Sequence, residues 1–338
     1  YTPLWWVSTS DGEYVNTQSL IPKAGVWSMY TSGSNELPLT LGNQFSRLGY
    51  TTRAYHNHYF DYYGRDVSHP NLGYTYTGRG NGLDMEDTWP ESDLEMMEET
   101  VADYLNDAPF HVYYMTVSGH LNYTFESNDM AARHWSAVAG VDASEEVKAY
   151  LACNVELDLA LEYLLEQLEQ AGQLENTVIC LAADHYPYGL DKEFIDEMAG
   201  HEVEEDFELY RSTLILWSGD MEEPVVVEKP ASNLDILPTL SNLFGLAYDS
   251  RLMMGRDILS DSEGLVVFSN HSFITEYGRF NARTDLFTPN EGVTVEEGYA
   301  QKMMETVNDM FTYSAAVLDN DYYSTLGLFP EDALSPER

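Results

Sequence analysis

The feature that most restricts the fold is an alternation of helical segments with short apolar strands. The clearest unit is a predicted helix over residues 144–171, with Ser144 as its cap and Gly172 as its stop. It leads into a predicted buried strand over 177–183. A further helix is predicted over 37–48, and further strands over 50–55, 110–117 and 212–217. The pattern therefore predicts an α/β fold with a mostly parallel central sheet flanked by helices.

The pattern changes beyond about residue 264. Short strands linked by tight turns are predicted over 265–269, 272–277 and 279–283, followed by one long helix over 295–318. We therefore predict a main domain over 1–262 and a C-terminal α+β subdomain over 263–338, with a small antiparallel sheet and a long helix.

The charge balance restricts the classes of partner. The chain has 57 acidic residues against 16 basic ones, a formal net charge of -41. Binding nucleic acid through phosphate contacts needs a basic surface, so we expect none. Docking onto an anionic membrane through a polybasic face is not expected, for the same reason. An anionic substrate would have to be held by a metal ion and a few local cations.

The cysteines and the first residues of the sequence bear on the kind of protein from which the chain comes. Its only cysteines, Cys153 and Cys180, lie in apolar patterns without disulfide or CxxC spacing. There is no run of 18 apolar residues and no signal peptide, and the chain begins at Tyr1 rather than Met. We expect a fragment of a longer protein, acting as a monomer.

An acidic residue and a histidine follow the predicted strand over 177–183. Ligands of open α/β sheets bind beyond the carboxyl ends of strands, and Asp184 and His185 lie at such an end. Together they offer one cation a carboxylate oxygen and an imidazole nitrogen. The alternative is a helix cap followed by a loop histidine.

A run of hydroxyl and acidic residues lies near the start, over 8–14. Such a run is usually a helix cap with a capping box. A threonine hydroxyl at a helix N-terminus also faces the positive end of the helix dipole, which favours an alkoxide or a phosphate. Thr9 is therefore a candidate nucleophile as well.

Basic side chains are scarce, yet His56, His58 and Arg65 lie within the ten residues that follow the strand predicted over 50–55. Arginine binds phosphate through two hydrogen bonds, and histidine can transfer protons. His120 follows the strand over 110–117. Each of these residues could equally be structural, but all follow apolar strands and could meet at one edge of the sheet.

Taken in order, these segments resemble the lipoteichoic acid synthase branch of the sulfatase/alkaline phosphatase superfamily. The similarity runs from about Thr9 to the end of the chain. The segments that carry it are TSDGEY (9–14), YHNHY (55–59), RD (65–66), SGH (118–120), DHY (184–186), DILPTL (235–240) and LMMGRD (252–257).

The resemblance implies a sulfatase-like fold and a role for each candidate residue. Thr9 would be both the nucleophile and a metal ligand, with Asp184 and His185 as further ligands of one Mn²⁺ or Mg²⁺ ion.

The substrate would be held by His56, His58, Tyr63, Arg65 and His120. His58 stands where relatives carry an acidic or polar contact, and Tyr63 where they carry Trp. Ser8 stands where well-known relatives carry Lys.

The family has a fourth metal ligand, a Glu at the end of a first strand some tens of residues before the Thr. Only eight residues precede Thr9, and none is acidic. We therefore expect the first strand and its Glu to be missing from this sequence, and the fragment to be inactive or nearly so.

The activity implied by the resemblance is transfer of glycerol phosphate from phosphatidylglycerol to a glycolipid or a polyglycerol-phosphate chain. His120 or His56 would assist proton transfer. The implied location is the outer face of the cell membrane of a Gram-positive bacterium, with membrane helices upstream of this chain. Alternatives are a sulfatase, a phosphoethanolamine transferase, a phosphodiesterase on the same site, and a non-catalytic scaffold.

Overall fold

The computed structural model describes residues 1–328. None of the helices in this range is both long and apolar enough to cross a membrane. The helices are α1 (Ser8–Gln18), α2 (Ser28–Ser32), α3 (Leu41–Arg47), α4 (Arg65–Asn71), α5 (Asp93–Thr100), α6 (Asp129–Arg133), α7 (Trp135–Val138), α8 (Glu145–Gln170), α9 (Lys192–Ala199), α10 (Ile236–Leu243) and α11 (Tyr299–Asn320). The strands are β1 (Thr51–Tyr59), β2 (Thr75–Arg79), β3 (Gly82–Leu83), β4 (Phe110–Met115), β5 (Val178–Leu181), β6 (Ile215–Ser218), β7 (Leu265–Val267), β8 (Phe273–Thr275), β9 (Gly278–Asn281) and β10 (Leu286–Pro289).

The central sheet has the strand order β3-β2-β1-β4, and every pair in it is parallel. Helices cover it, with α3 contacting β1 and α5 packed between β1 and α8. The predicted α/β fold with a mostly parallel central sheet is confirmed. The carboxyl ends of β1 and β4 meet at one edge because His56 pairs with Met115.

The long central helix agrees closely with its prediction. In α8 the hydroxyl of the cap residue Ser144 accepts from the backbone N–H of Val147 at 3.3 Å. The helix predicted from Leu37 instead begins at Leu41. A residue before proline disfavours helical geometry, and Leu37 precedes Pro38.

Two strand features differ from the sequence-based expectation. The pair β5-β6 is antiparallel and forms its own two-stranded sheet. The C-terminal antiparallel sheet has a fourth strand, β10, that we did not predict. Alternation of apolar and polar residues is weak in LFTP, and its register is set by pairing with β9.

The C-terminal sheet packs on the rest of the molecule. Its residues Val267 and Phe273 share one buried cluster with Trp5 and Val15 from the chain's start. Val307 of α11 belongs to the same cluster. The proposed division into 1–262 and 263–338 stays a prediction, and residues 329–338 of it lie outside the described part.

A cavity of about 1020 Å³ opens between the central sheet and the two-stranded β5-β6 sheet. Strands β4 and β5 are end strands of their sheets, and all their residues line this cavity. The cavity reaches the edge where His56, Asp184 and His185 lie. Position and size together make it the candidate site, and its apolar part runs along both strands.

Candidate active site

Helix α1 begins in a way that differs from the expected capping box. Its cap residue is Val7, and neither Ser8 nor Thr9 caps the helix. Asp11 instead accepts a hydrogen bond from the backbone N–H of Val7 at 2.8 Å. The capping interpretation is therefore wrong, and the Thr9 hydroxyl is released for other contacts. Ser8 has a φ of 33°, a strained value of the kind found at functional sites.

Close approach of α1 to the end of β5 depends on Gly12. A Cβ atom at Gly12 would lie 2.7 Å from the carbonyl oxygen of Asp184 and 2.9 Å from its Cβ. No side chain fits in that space. Gly12 is one helical turn beyond Thr9, so its contact with Asp184 brings the first turn of α1 to the metal-binding candidates.

Thr9, Asp184 and His185 meet at this contact, and we call them the attack wall. The Thr9 Oγ1 atom lies 3.1 Å from Nε2 of His185. The same nitrogen lies 3.2 Å from Oδ2 of Asp184. The Nδ1 atom of His185 lies 2.8 Å from the carbonyl oxygen of Tyr186, so Nδ1–H donates and the Nε2 lone pair faces Thr9.

These three atoms fit a divalent cation in part. Ligands about 2.1 Å from a tetrahedral ion lie about 3.4 Å apart, close to the separations seen here. A histidine ligand commonly donates its other ring N–H to a backbone carbonyl, as His185 does. Within residues 1–328, no cluster of three or more His, Cys, Asp or Glu side chains is placed to hold a metal ion. Two such side chains and one hydroxyl converge, and a fourth donor would complete the set.

A second group of cavity residues is held by a buried ion pair. Arg65 donates to the Glu13 carboxylate through Nε, 3.1 Å from Oε1, and through Nη2. Its Nη1 atom lies 3.0 Å from Nε2 of His56, whose Nδ1 lies 2.9 Å from the carbonyl oxygen of Met115. We call Glu13, His56 and Arg65 the holding wall.

Electrostatics favour the neutral form of two buried histidines, His56 and His69. Burial, and then the charge of Arg65, lower the pKa of His56 well below its usual range. The same two causes lower the pKa of His69, which is fully buried. A neutral His56 can accept from Arg65 while donating Nδ1–H to a carbonyl. Its hydrogen bonds therefore orient the guanidinium, and the proton-transfer role expected for His56 stays a prediction.

His58 and Tyr63 also line the cavity. His58 contacts Glu91, with 2.6 Å between Nδ1 and Oε1. Tyr63 has a φ of 58°, and its ring lies 5.6 Å from that of Trp27. The Arg65 guanidinium carbon lies 5.3 Å from the Tyr63 ring centroid, a cation–π contact.

His120 lies on the loop after β4. Its Nδ1 atom is 3.1 Å from the carbonyl oxygen of Leu121, and its ring lies 5.1 Å from Trp89. The loop is anchored by Asp93, which is buried and accepts from the backbone N–H of Val117 at 2.9 Å and from the Ser118 hydroxyl. All eight candidate residues thus line one cavity.

The sequence-based reasoning missed several polar residues of the site. Glu13 was read only as part of a cap, although its place four residues after Thr9 puts both on one helix face. Glu91 precedes α5 and Asp93 is its first residue, and neither carries a local signal because acidic residues at the start of a helix are usually exposed. Burial alone distinguishes them, and it is a tertiary property.

A scan against protein families gives one decisive match. The Sulfatase family model matches residues 9–246, more than half of the chain. This chain belongs to the sulfatase family. The match begins at Thr9, the first residue of the attack wall, and includes all eight candidate residues.

Relatives of this sulfatase-family chain place it more closely. It is 26% identical over 326 residues to a lipoteichoic acid synthase from Staphylococcus saprophyticus, a match that covers 93% of this chain and 49% of that protein. The chain thus spans about half the length of that synthase.

Solved structures support the fold. The lipoteichoic acid synthase LtaP from Listeria monocytogenes superposes with a TM-score of 0.78 at 20% identity, covering 95% of this chain and 82% of that one. An alkaline phosphatase superfamily protein from Vibrio parahaemolyticus gives a TM-score of 0.63 at 14% identity, with coverage of 93% and 75%. The predicted sulfatase-like fold is confirmed.

Proposed function

We propose that this chain is the catalytic domain of a metal-dependent phosphoglycerol transferase that uses Thr9 as its nucleophile. The donor is phosphatidylglycerol, and the acceptor is a glycolipid or a growing polyglycerol-phosphate chain. The single observation that carries the proposal is the approach of the Thr9 hydroxyl to His185, 3.1 Å away, in the cavity that Glu13 and Arg65 also line. The similarity to lipoteichoic acid synthases supports the choice of substrate class.

The three residues of the holding wall have different roles in binding an anionic phosphodiester. Arg65 is the only cation of the holding wall, and Glu13 and His56 fix its guanidinium by hydrogen bonds. Guanidinium groups bind phosphate oxygens in the same plane. A local cation is needed because the chain as a whole carries a formal charge of -41.

The first half of the reaction forms a bond between Thr9 and phosphorus. The Thr9 hydroxyl loses its proton to solvent, and its oxygen attacks the phosphorus of phosphatidylglycerol. The phosphorus–oxygen bond to diacylglycerol breaks, and the diacylglycerol oxygen takes up a proton. Glycerophospho-Thr9 remains.

The second half returns Thr9 to its starting state. An acceptor hydroxyl loses its proton and attacks the phosphorus of glycerophospho-Thr9. The bond between phosphorus and Thr9 breaks, and Thr9 regains a proton from solvent. Thr9 lies in the first turn of α1, so the positive end of the helix dipole stabilises negative charge on it in both halves.

Thr9, Asp184 and His185 would hold one divalent cation, Mn²⁺ or Mg²⁺. When bound, such an ion would stabilise the Thr9 alkoxide and one phosphoryl oxygen as a Lewis acid. We further propose a fourth ligand, a carboxylate on a strand that pairs with β4 and β5 in the intact protein. The cavity between these two end strands supports this proposal, because its apolar part runs along both.

In the intact protein, we place the domain at the outer face of the cell membrane of a Gram-positive bacterium. The names and hosts of the relatives support this location. The lipid substrate requires access to a bilayer, and the cavity mouth would have to face it. We expect the domain to act as a monomer.

The nucleophile can be tested directly. The intact protein is incubated with phosphatidylglycerol, digested, and analysed by mass spectrometry. We expect a glycerophosphate adduct on the peptide that contains Thr9, and none in the Thr9→Ala variant. An adduct on a different residue, or diacylglycerol release without any adduct, would contradict the nucleophile assignment.

The proposed fourth ligand calls for a separate test. Calorimetry of this chain with Mn²⁺ should show dissociation constants weaker than micromolar, and the intact protein should bind more tightly. Micromolar or tighter binding by the chain alone would show that no further ligand is needed. Asp184→Asn in the intact protein is the matched variant, and we expect it to weaken Mn²⁺ binding.

A further inference from the structure

A histidine–carboxylate pair on the cavity wall lies outside both walls defined above. His58 is the next-to-last residue of β1, and its Nδ1 atom lies 2.6 Å from Oε1 of Glu91. The Glu91 side chain is only 1% exposed, whereas that of His58 is 17% exposed. The carboxylate is therefore inside the protein, and the imidazole reaches the cavity.

The contacts of Glu91 fix the hydrogen positions of His58. The carboxylate accepts from Nη1 of Arg79 at 3.3 Å and from the imidazole. Its Oε2 atom is buried without a hydrogen-bond partner among the described residues. An ionised carboxylate can only accept, so Nδ1 of His58 donates. Its Nε2 atom has no hydrogen-bond partner within residues 1–328, and it is the position left to exchange a proton.

Aromatic rings hold the imidazole in place. The centroid of the His58 ring lies 4.9 Å from that of Tyr62 and 5.6 Å from that of Trp89, both edge-on. Trp89 also contacts the ring of His120 at 5.1 Å. His58 is thus oriented by a hydrogen bond at Nδ1 and by packing on its faces. Fixed orientation is what a proton-transfer group requires.

Two other histidines of the cavity, His56 and His120, are less suited to the task. Both nitrogens of His56 are occupied, by Arg65 and by the carbonyl oxygen of Met115. His120 places Nδ1 against a neutral carbonyl oxygen rather than a carboxylate. A buried carboxylate stabilises the imidazolium that forms during proton transfer, and a carbonyl does so less strongly. Of these three, only His58 has such a partner.

We propose that His58 is the residue that carries the proton between the leaving group and the acceptor, with Glu91 as its positioning residue. This inference rests on the proposed phosphoglycerol transfer. In the first half, Nε2–H of protonated His58 gives its proton to the diacylglycerol oxygen as the phosphorus–oxygen bond breaks. In the second half, neutral His58 takes the proton of the acceptor hydroxyl as that oxygen attacks phosphorus. The histidine ends as it began.

The test uses two donors that differ in their leaving group. Phosphatidylglycerol needs a proton on its departing alkoxide, whereas glycerol p-nitrophenyl phosphate releases a stable phenolate without one. In the intact protein, His58→Gln should slow transfer from phosphatidylglycerol by about 10²- to 10⁴-fold. The burst of p-nitrophenolate should slow by less than about 10-fold, because general-acid help is not needed. Steady-state release should be slow, since the second half still needs a base.

Matched variants separate proton transfer from structure. Glu91→Gln should show the same dependence on the leaving group with a smaller loss. Asp87→Asn removes the exposed partner of Arg79, 2.6 Å away, without touching the pair, and should change neither rate. Thermal unfolding confirms that the variants are folded, and Glu91→Gln carries the test if His58→Gln does not fold.

The outcomes are distinct. Equal losses with both donors, or no loss with either, would overturn the role of His58. The same would follow if His120→Gln gave the leaving-group dependence and His58→Gln did not. If the wild-type protein forms no adduct on Thr9, the proposed function fails and this inference fails with it. A wild-type adduct with a fully active His58→Gln variant refutes this inference alone.

Discussion

The attack wall and the holding wall line one cavity, yet they are stabilised in different ways. In the holding wall, the side chains of Arg65 and Glu13 are 2% and 5% exposed and satisfy one another. In the attack wall, the side chains of Asp184 and His185 are 36% and 13% exposed. They contact each other and Thr9, and Nδ1 of His185 also donates to the carbonyl oxygen of Tyr186.

This difference means that the holding wall contributes mainly to the stability of the fold and the attack wall mainly to the reaction. Buried charges that are fully hydrogen-bonded are costly to disrupt, so the holding wall is tied to the fold. Donor atoms with few protein partners remain available to a ligand, so the attack wall is tied to turnover. Variants in the two walls should therefore fail in different assays, and the following predictions use that contrast.

The largest expected effect is on turnover alone. Thr9→Ala should lower the rate of phosphoglycerol transfer by the intact protein by about 10³-fold or more, because the nucleophile is lost. The free energy of unfolding should change by less than about 1 kcal/mol, as is usual for residues without core contacts. Thr9→Ser keeps a hydroxyl and should retain part of the activity. A large loss of stability in Thr9→Ala would break the contrast.

The second prediction concerns stability. Glu13→Gln leaves the buried Arg65 charge without its partner and should lower the free energy of unfolding by about 3–5 kcal/mol. Urea unfolding followed by circular dichroism measures it. The control is Asp319→Asn, which removes an exposed ion pair with Lys23 at 2.5 Å and should cost about 0–1 kcal/mol. Similar losses in the two variants would mean that the Glu13–Arg65 pair is not special.

The third prediction uses pH. The pKa of His56 is lowered in the folded protein, so below about pH 6.5 the unfolded state binds more protons and folding stability falls as pH falls. The slope for one such histidine is about 1.4 kcal/mol per pH unit. Buried carboxylates titrate in the opposite sense, so the comparison is with a variant. His56→Gln should lose less stability between pH 7 and 5 than the wild type, and equal slopes would show that His56 is not held neutral.

The smallest expected effect tests how the attack wall is assembled. Gly12→Ala places a Cβ against the backbone of Asp184 and should cost about 1–3 kcal/mol of stability. It should also lower transfer by up to about 10²-fold by moving Thr9 away from His185. Gly140→Ala is the control, since a Cβ there would meet no atom within 4 Å. Full activity in Gly12→Ala would show that the approach of α1 is not required.

Much of the fold follows from local patterns. Strand β5, which precedes Asp184, and helix α8, which precedes β5, were predictable because an apolar run and helical periodicity are visible within a few turns of chain. The shift of α3 to Leu41 was predictable in principle from Pro38, whereas the pairing of β10 was not. The convergence of Thr9 with His185 was expected from strand ends and the resemblance, and the structure brings them together.

The partners of the site residues could not be predicted from local patterns. Glu13 and Arg65 are 52 residues apart, and His58 and Glu91 are 33 apart. Nothing in their local sequence indicates that they pair. The position of Thr9 beside His185 also depends on a distant neighbour, because Gly12 packs on Asp184.

The sequence by itself determined the order of helices and strands, the acidic character of the chain, and which reactive residue types follow strands. Those properties arise from side chains within about 20 residues of one another, where propensity and periodicity act. Only the tertiary structure decided which carboxylate is buried against which cation, and which histidine nitrogen remains free. Burial and hydrogen-bond pairing depend on segments brought together by the sheet, so no local pattern can specify them.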